Sequence, residues 1–238
     1  ASAPECAEHV TSGPDVLILI AMLLPRRRAK RCEMEKKQHW ENVYTTKAHD
    51  QVSWYRDHLD NSLQMILNTG VEKDAAIIDV GGGSSTLVDD LLVHGFVDVS
   101  VLDISGTAIA KSIARLGSLA EEVNWLEADI TEVALPKNHF DVWHDRAVFH
   151  FLTDAEDRRK YVELVMRSLK VGGHIIVASF GLDGPQKCSG LDVVRYDPES
   201  MHDEFGEPFE LINSVGETHE TPFGTTQEFI YCYCRKVV

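Results

Sequence analysis

The sequence predicts an α/β protein built on a doubly wound, mostly parallel sheet with helices on both faces. Three observations point there. Residues 75–85 read A-A-I-I-D-V-G-G-G-S-S, an apolar run that ends in an acid and breaks into three glycines before T-L-V-D-D-L-L. That is the pattern of a buried strand turning tightly into a helix. Downstream, strand-length apolar runs alternate with stretches of helical periodicity, which gives a parallel sheet. After Phe180 the alternation stops, and the last two β-rich segments follow each other directly, as an antiparallel pair does.

Residues 36–55 carry His39, Trp40, Tyr44, Trp54 and Tyr55 among polar neighbours. They read as an N-terminal helix and loop packed on the core, or as a lid whose ring faces cover a cofactor and attract a cation. N-S-L-Q-M-I-L-N-T at 61–69 is a short amphipathic helix, capped by Asn61 or Ser62 and stopped at Gly70. Strand one spans 76–80, and its helix 86–94 is closed by Gly95. V-S-V-L-D at 99–103 is strand two, followed by a helix over 105–116 and Gly117; 123–126 is strand three. F-D-V-W at 140–143 is strand four, the helix 154–169 ends before Gly172 and Gly173, and H-I-I-V-A-S-F at 174–180 is strand five. A loop rich in glycine, G-L-D-G-P-Q-K-C-S-G-L, precedes a short helix at 198–205 and two strands, 209–217 and 227–235.

With 238 residues, 44% of them hydrophobic, the chain can bury one good core. It reads as one domain over 34–238, with 34–70 as its N-terminal cap. Residues 1–33 differ: V-L-I-L-I-A-M-L-L at 16–24 is followed by Pro25 and the bases Arg26, Arg27, Arg28, Lys30 and Arg31. That run is too short to span a bilayer. Glu5, Glu8 and Asp15 precede it, which fits a secretory signal or a transit peptide poorly. The segment is expected to be an appendage, disordered or loosely docked. With 38 acids against 23 bases, formally −15, the surface disfavours nucleic acid. Five cysteines without a C-x-x-C pair suggest no disulfide framework and an intracellular, reducing compartment. The expected location is cytoplasmic, with mitochondrial as the alternative, and the expected state is a monomer or homodimer. The 11 histidines show no H-x-x-x-H or H-E-x-x-H spacing, so no metal is expected.

Two cofactors suit this fold, a dinucleotide and S-adenosylmethionine. Gly81-x-Gly83-x-x-Thr86 resembles a dinucleotide fingerprint that lacks its third glycine. Asp79 decides between them. An ionised carboxylate beside a pyrophosphate sets like charges at short range, whereas near an ammonium and a sulfonium the same charge helps. Asp103, about twenty residues on at the tip of strand two, is placed as a ribose-hydroxyl acceptor. Asp129, just past strand three, is placed to accept from an adenine amino group. The candidate cofactor residues are therefore Asp79, Gly81, Gly82, Gly83, Ser84, Asp103, Ile104, Asp129 and Ile130, with Trp40, Tyr44 and Trp54 from the lid.

Asp79-x-Gly81-x-Gly83, Asp103, Asp129, F-D-V-W-H-D-R and L-K-V-G-G together resemble the class I S-adenosylmethionine-dependent methyltransferases over about residues 36–238. The resemblance implies a seven-stranded sheet in the order 3-2-1-4-5-7-6, strand seven antiparallel. It implies S-adenosylmethionine as methyl donor and S-adenosylhomocysteine as product. Ser85 stands where the family often has its third glycine, and Val171 replaces the usual proline of L-K-P-G-G. A narrower similarity, through H-W-E-x-V-Y, V-S-W-Y, W-H-D-R-A-V-F-H-F-L, C-S-G-L and R-Y, is to poorly characterised methyltransferase-domain proteins.

In that family the tip of strand four faces the methyl group. Here it supplies His144, Asp145 and Arg146 as candidate catalytic residues. Histidine titrates near working pH and suits a general base; Asp145 is a candidate to orient it or a substrate amine, and Arg146 to grip a carboxylate. A buried Asp145–Arg146 or Asp–His network that only shapes the loop is the competing reading. His150, Cys188, Arg195 and Tyr196 are candidate acceptor contacts, with packing roles as the alternative for His150 and Cys188. Cys232 and Cys234 alternate on a strand covered on both faces and read as core. The expected function is methyl transfer to S, N or O of a small molecule. A protein-lysine methyltransferase and a non-catalytic cofactor-binding regulator are the alternatives. The absence of N/D-P-P-Y after strand four counts against methylation of DNA or glutamine amides.

Overall fold

The computed structural model describes residues 34–238, so the expected N-terminal appendage, residues 1–33, lies outside the described residues. Trp40–Val238 forms one compact unit. Its first turns, 40–46, are helical. Helix α1 (Asp60–Asn68) leads into β1 (Ala76–Val80), α2 (Leu87–Val93), β2 (Asp98–Asp103), α3 (Gly106–Leu116) and β3 (Val123–Glu127). Then follow β4 (Phe140–Arg146), α4 (Ala155–Ser168) and β5 (Leu169–Phe180). A two-stranded ribbon, β6 (Lys187–Cys188) with β7 (Leu191–Asp192), precedes α5 (Pro198–Phe205), β8 (Phe209–Glu220) and β9 (Thr226–Lys236).

The main sheet has seven strands in the order β3-β2-β1-β4-β5-β9-β8. Strands β1 to β5 run parallel, β9 is antiparallel to β5, and β8 is antiparallel to β9. With β8 and β9 as the sixth and seventh strands, this is the order the resemblance implied. Register places Asp79 of β1 beside His144 of β4, and Val80 beside Asp145. The C-terminal tips of the two central strands are therefore neighbours.

Alternate residues of each strand feed two separate cores. On one face Ile78, Val80, Trp143, Val177, Cys232 and Cys234 pack with Tyr161 and Val165 of α4 and Phe205 of α5. On the other, Ile77, Val99, Val142, Ile176 and Tyr231 pack with Ile66 of α1 and Leu87 and Leu91 of α2. Each such fully buried side chain contributes about 1.5–3 kcal/mol. Cys232 and Cys234 are buried core residues, as their alternation suggested.

The boundaries depart from expectation where packing overrides pattern. Strand β4 runs on to Arg146, because Asp145 and Arg146 pair with Val177 and Ala178 of β5. Strand β5 starts at Leu169 rather than at residue 174. Leu169 already pairs with Phe140, and a register shift follows that pairing, near Gly172 at φ +81°. Helix α1 begins at Asp60 with Leu59 as N-cap and no side-chain cap, so neither Asn61 nor Ser62 has the capping role expected of it. Both side chains are used elsewhere.

Candidate active site

Past Val80 the chain turns through Gly81 at φ +73°, a left-handed conformation natural to glycine. A Cβ on Gly81 would lie 2.0 Å from Val148 Cγ2, one on Gly82 2.1 Å from Asp79 Oδ2, and one on Gly83 2.5 Å from Asp103 Oδ2. The last two glycines thus clear space around two carboxylates. Ser84 is buried behind them, and Ser85 Oγ accepts the N–H of Leu87 at 3.1 Å as α2 begins.

Asp79 has one oxygen committed and one open. Its Oδ1 lies 2.7 Å from His144 Nδ1, and His144 Nε2 lies 2.9 Å from Ser62 Oγ. Asp79 Oδ2 is buried with no hydrogen-bond partner. An unpartnered carboxylate oxygen is costly unless a donor or cation arrives. An ammonium brought in by a ligand satisfies it, and a diphosphate would add to the negative charge. The residues present therefore fit S-adenosylmethionine.

Asp103 accepts Gly83 N–H on Oδ2 at 3.0 Å and Ser105 N–H on Oδ1 at 2.8 Å. Burial pushes its carboxyl up to about 6 against those two hydrogen bonds, with Asp79 and Glu41 adding like charge. Asp129 is half-buried, and its Oδ1 takes the N–H and hydroxyl of Thr131 at 2.8 and 2.7 Å. Ile130 is buried and Ile104 half-buried. A cleft opens at the tips of β1 and β4. It is lined by Asp79 and Gly82, by Tyr44 and Trp54 from the N-terminal segment, and by His144 and Arg146 from β4.

The three aromatic residues expected in a lid come together. Trp40 stacks edge-on against Trp54 at 5.8 Å and against Phe151 at 5.0 Å, and Tyr44 lies 6.3 Å from Trp54. Thr107 of α3 donates its hydroxyl to Glu41, and Lys111 donates to the carbonyl of Lys47 at 2.6 Å, which ties this segment to α3. Burial, with Asp103 nearby, holds the Tyr44 phenol well above its usual range.

Arg146 is fully engaged. Nε donates to Tyr231 Oη at 3.0 Å, Nη1 to the Trp54 carbonyl at 3.1 Å and Nη2 to Glu217 Oε1 at 3.3 Å, and its guanidinium sits 4.3 Å from the Phe229 ring centroid. Asn61 Nδ2 donates to the other Glu217 oxygen at 2.7 Å. Burial works to raise the Glu217 carboxyl, but Arg146, Asn61 and Arg56 together hold it below its ordinary value. His219 accepts from Arg56 Nε on Nδ1 at 3.1 Å, so its Nε2–H donates to the Ser53 carbonyl at 2.7 Å. Arg146 and His219 thus pin the backbone of the Ser53–Trp54 loop over the cleft.

Asp145 lies apart from the cleft lining. Its carboxylate accepts from Tyr161 Oη at 2.7 Å, from Val148 N–H at 2.9 Å and from Phe149 N–H at 3.1 Å, and it is fully buried. Asp145 therefore shapes the loop through Tyr161 and two backbone N–H groups, not through the Asp145–Arg146 or Asp–His pairing considered above. Three of the four expected acceptor contacts are likewise interior, and the fourth braces a loop. His150 is fully buried between Phe151 and Phe180, and burial followed by Arg146 pushes its imidazole down to about 3. Cys188 is in the core, its thiol pushed up to about 12 by burial. Tyr196 is buried, with its hydroxyl on Glu204 at 3.2 Å. Arg195 donates to the carbonyls of Leu182 and Gly184, bracing the loop after β5. The reason is the loop's path: Tyr196 bridges to Gly181 as a short parallel pair, which folds the segment back onto the core.

Four site residues were not picked out from the sequence for these roles: Ser62, Arg56, Glu217 and Tyr231. Their side-chain partners are 71 or more positions distant, beyond any local pattern; a buried arginine at 146 requires a carboxylate but does not say which. Among the described residues no cluster could hold a metal ion, and no helix is long and apolar enough to cross a membrane.

Residues 78–177 match the family model described as a methyltransferase domain. Among curated proteins, human EEF1A lysine methyltransferase 2 is 23% identical over 197 residues, covering 75% of this chain and 76% of that protein. The eEF1A lysine and N-terminal methyltransferase homolog of Drosophila melanogaster is 25% identical over 160 residues, 65% of this chain. The match covers 23% of the fly protein, so the chain spans less than a quarter of that relative's length. Among solved structures, the 1,6-didemethyltoxoflavin-N1-methyltransferase of Burkholderia thailandensis, with bound S-adenosylhomocysteine, has a TM-score of 0.62 at 15% identity, over 99% of this chain and 95% of that one. A SAM-dependent methyltransferase of Methanosarcina mazei gives 0.59 at 18% identity, over 73% and 97%. These structures share the fold.

Proposed function

We propose that this chain, which carries an S-adenosylmethionine-dependent methyltransferase domain, moves a methyl group onto a lone pair that needs no base from the protein, with a protein lysine amine as the acceptor. The observation that carries this reading is the commitment of all three polar groups at the β4 tip. His144 has both ring nitrogens in hydrogen bonds, Asp145 holds three donors, and Arg146 donates from all three of its nitrogens. A hydroxyl acceptor needs its proton removed during attack. A neutral amine or a thiolate arrives with its electron pair available.

When bound, S-adenosylmethionine supplies an electrophilic methyl group on a sulfonium. The chain's part is to bind, align and exclude water. Asp79 Oδ2 meets the ammonium, Asp103 accepts from the ribose hydroxyls, and Asp129 faces the adenine. Trp40, Tyr44 and Trp54 cover the reacting end. Their apolar faces disfavour a charged amine by desolvation, so lysine enters as its neutral form. In that case His144, Asp145 and Arg146 are positioning residues rather than proton carriers.

The lysine assignment draws on the curated relatives named above, which methylate lysine in eEF1A according to their names. The short connections at the cleft favour a second reading, a small-molecule amine or thiol. One labelling experiment separates them. Tritiated S-adenosylmethionine is incubated with the chain and either a boiled, ultrafiltered lysate or an intact protein fraction. Label in the protein fraction, released as N-methyl-lysine on hydrolysis, supports the lysine reading. Label only in the filtrate replaces it with the small-molecule reading. Binding without transfer to either fraction would leave a regulator.

A further inference from the structure

We infer that the first turn of α1 couples the Asp79 wall of the cleft to the loop that carries Trp54, with Asn61 and Ser62 as its positioning residues. Ser62 holds Asp79 through His144, and Asn61 holds the Trp54 loop through Glu217 and Arg146. The inference rests on the cofactor assignment and goes beyond it, to two residues outside the cleft lining. Asparagine and serine near a helix start ordinarily cap its free N–H groups. Here α1 opens on Leu59 with no side-chain cap, and Leu59 itself lines the cleft, so the turn borders the site. Ser62 Oγ lies 2.9 Å from His144 Nε2, and His144 Nδ1 lies 2.7 Å from Asp79 Oδ1. An ionised carboxylate only accepts, so Nδ1 carries the proton that faces Asp79; in the neutral ring Nε2 then accepts from the Ser62 hydroxyl. On the other branch Asn61 Nδ2 donates to Glu217 Oε2 at 2.7 Å, and Glu217 Oε1 accepts from Arg146 Nη2 at 3.3 Å. Arg146 Nη1 donates in turn to the Trp54 carbonyl at 3.1 Å.

Geometry makes these two branches one assembly. His144 and Arg146 alternate along β4 and project from the same face of the strand. Ser62 and Asn61 are neighbours on one helical turn, so a pair on a strand mates with a pair on a helix. Ser62, His144, Asp79 and Glu217 are all buried, where hydrogen bonds are stronger than in water. Met65 and Ile66 anchor α1 in the core beneath. In the empty cleft Asp79 Oδ2 has no partner, so the carboxylate is held through Oδ1 alone. A cationic ligand on Oδ2 fixes the carboxylate plane and, through His144 and Ser62, the setting of the turn. The same turn sets Glu217, Arg146 and the Trp54 carbonyl. Occupation of the Asp79 wall and closure of the Trp54 loop are thereby linked through a contiguous set of contacts.

Hydrogen–deuterium exchange with saturating S-adenosylhomocysteine tests this and needs no turnover. In the wild-type protein the ligand should slow exchange in two places, the glycine turn at 81–83 and the loop at 53–56. Ser62→Ala and Asn61→Leu should each cut the ligand-induced protection of 53–56 by about 10-fold, the scale of one buried hydrogen bond. Protection of 81–83 should stay within about twofold of wild type in both variants. Ser62→Cys and Asn61→Ala serve where the first variants do not fold. Undiminished protection of 53–56 in either variant would mean that the loop is placed without α1. An equal fall in both places would mean that the two residues act only through stability. Either result, or a wild-type loop that the ligand leaves unprotected, overturns the inference. A wild-type glycine turn left unprotected would overturn the cofactor assignment itself.

Discussion

On the cofactor side of the cleft, Asp79, the three glycines and Asp103 come from two consecutive strands and the turn between them. Around the β4 tip, Arg146 reaches Trp54, Glu217 and Tyr231 across 92, 71 and 85 positions. The first region is local in the chain and leaves polar atoms open: Asp79 Oδ2 has no partner. The second is assembled from distant segments and closes on itself, with every polar atom at the β4 tip engaged. A site that waits for a ligand keeps unsatisfied groups, and a site that holds a loop in place consumes them. The difference predicts where substitutions read out as binding and where they read out as stability.

The largest expected effect is at Asp145. Asp145→Ala leaves the Tyr161 hydroxyl and the Val148 and Phe149 N–H groups without an acceptor in a dry interior, and should cost about 3–5 kcal/mol of stability in chemical denaturation. Turnover lost with stability unchanged would return Asp145 to the acceptor pocket and break the contrast between the two regions.

Asp103 comes next and should show in binding. With its carboxyl pushed up to about 6, protonation turns one oxygen into a donor and weakens acceptance from the ribose hydroxyls within an accessible pH range. Affinity for S-adenosylhomocysteine should therefore fall as pH drops from neutral through 6, and Asp103→Asn should flatten that dependence while weakening binding by about 10-fold at neutral pH. The same shift acts on the free protein with opposite sign. A carboxyl raised by burial contributes stability below its unfolded value that is lost as pH rises through 6, so mild acid should favour the empty fold while disfavouring the complex. A pH-independent affinity in wild type would contradict the ribose role.

The smallest effect belongs to Arg195. It braces two carbonyls of a surface loop, and Arg195→Ala should shift stability by no more than about 1 kcal/mol and leave the acceptor KM unchanged. A large rise in KM would restore its expected contact with the acceptor.

The same contrast explains what was legible in the sequence. The alternation of strands and helices, the two antiparallel strands at the end and the acids at the strand tips follow from local pattern, because alternation and glycine turns are short-range features. The strand order came only from the family resemblance. Cys232 and Cys234 were readable as core for the same reason. Ser62 was not: a polar residue at a helix start suggests a cap, yet this one faces inward to His144, and the helix begins at Asp60. Tyr196 looks like a pocket residue in a loop, whereas His150 already reads as packed among Phe149 and Phe151. Tyr196 is buried because the chain after β5 folds back, a tertiary event that no periodicity records. Glu217 sits in an ordinary strand and gains its role only from Arg146 across the sheet.

The central claim is that the glycine turn presents one open carboxylate oxygen to a cationic ligand, and Asp79→Asn tests it most directly. The amide keeps an oxygen to accept from His144 and sets an uncharged N–H donor where Oδ2 stood, so the charge and the open acceptor are both lost. Calorimetry with S-adenosylmethionine should show affinity reduced by about 10-fold or more, while 5′-methylthioadenosine, which has neither ammonium nor sulfonium, should bind almost unchanged. Undiminished affinity for S-adenosylmethionine, or an equal fall for both compounds, would contradict it.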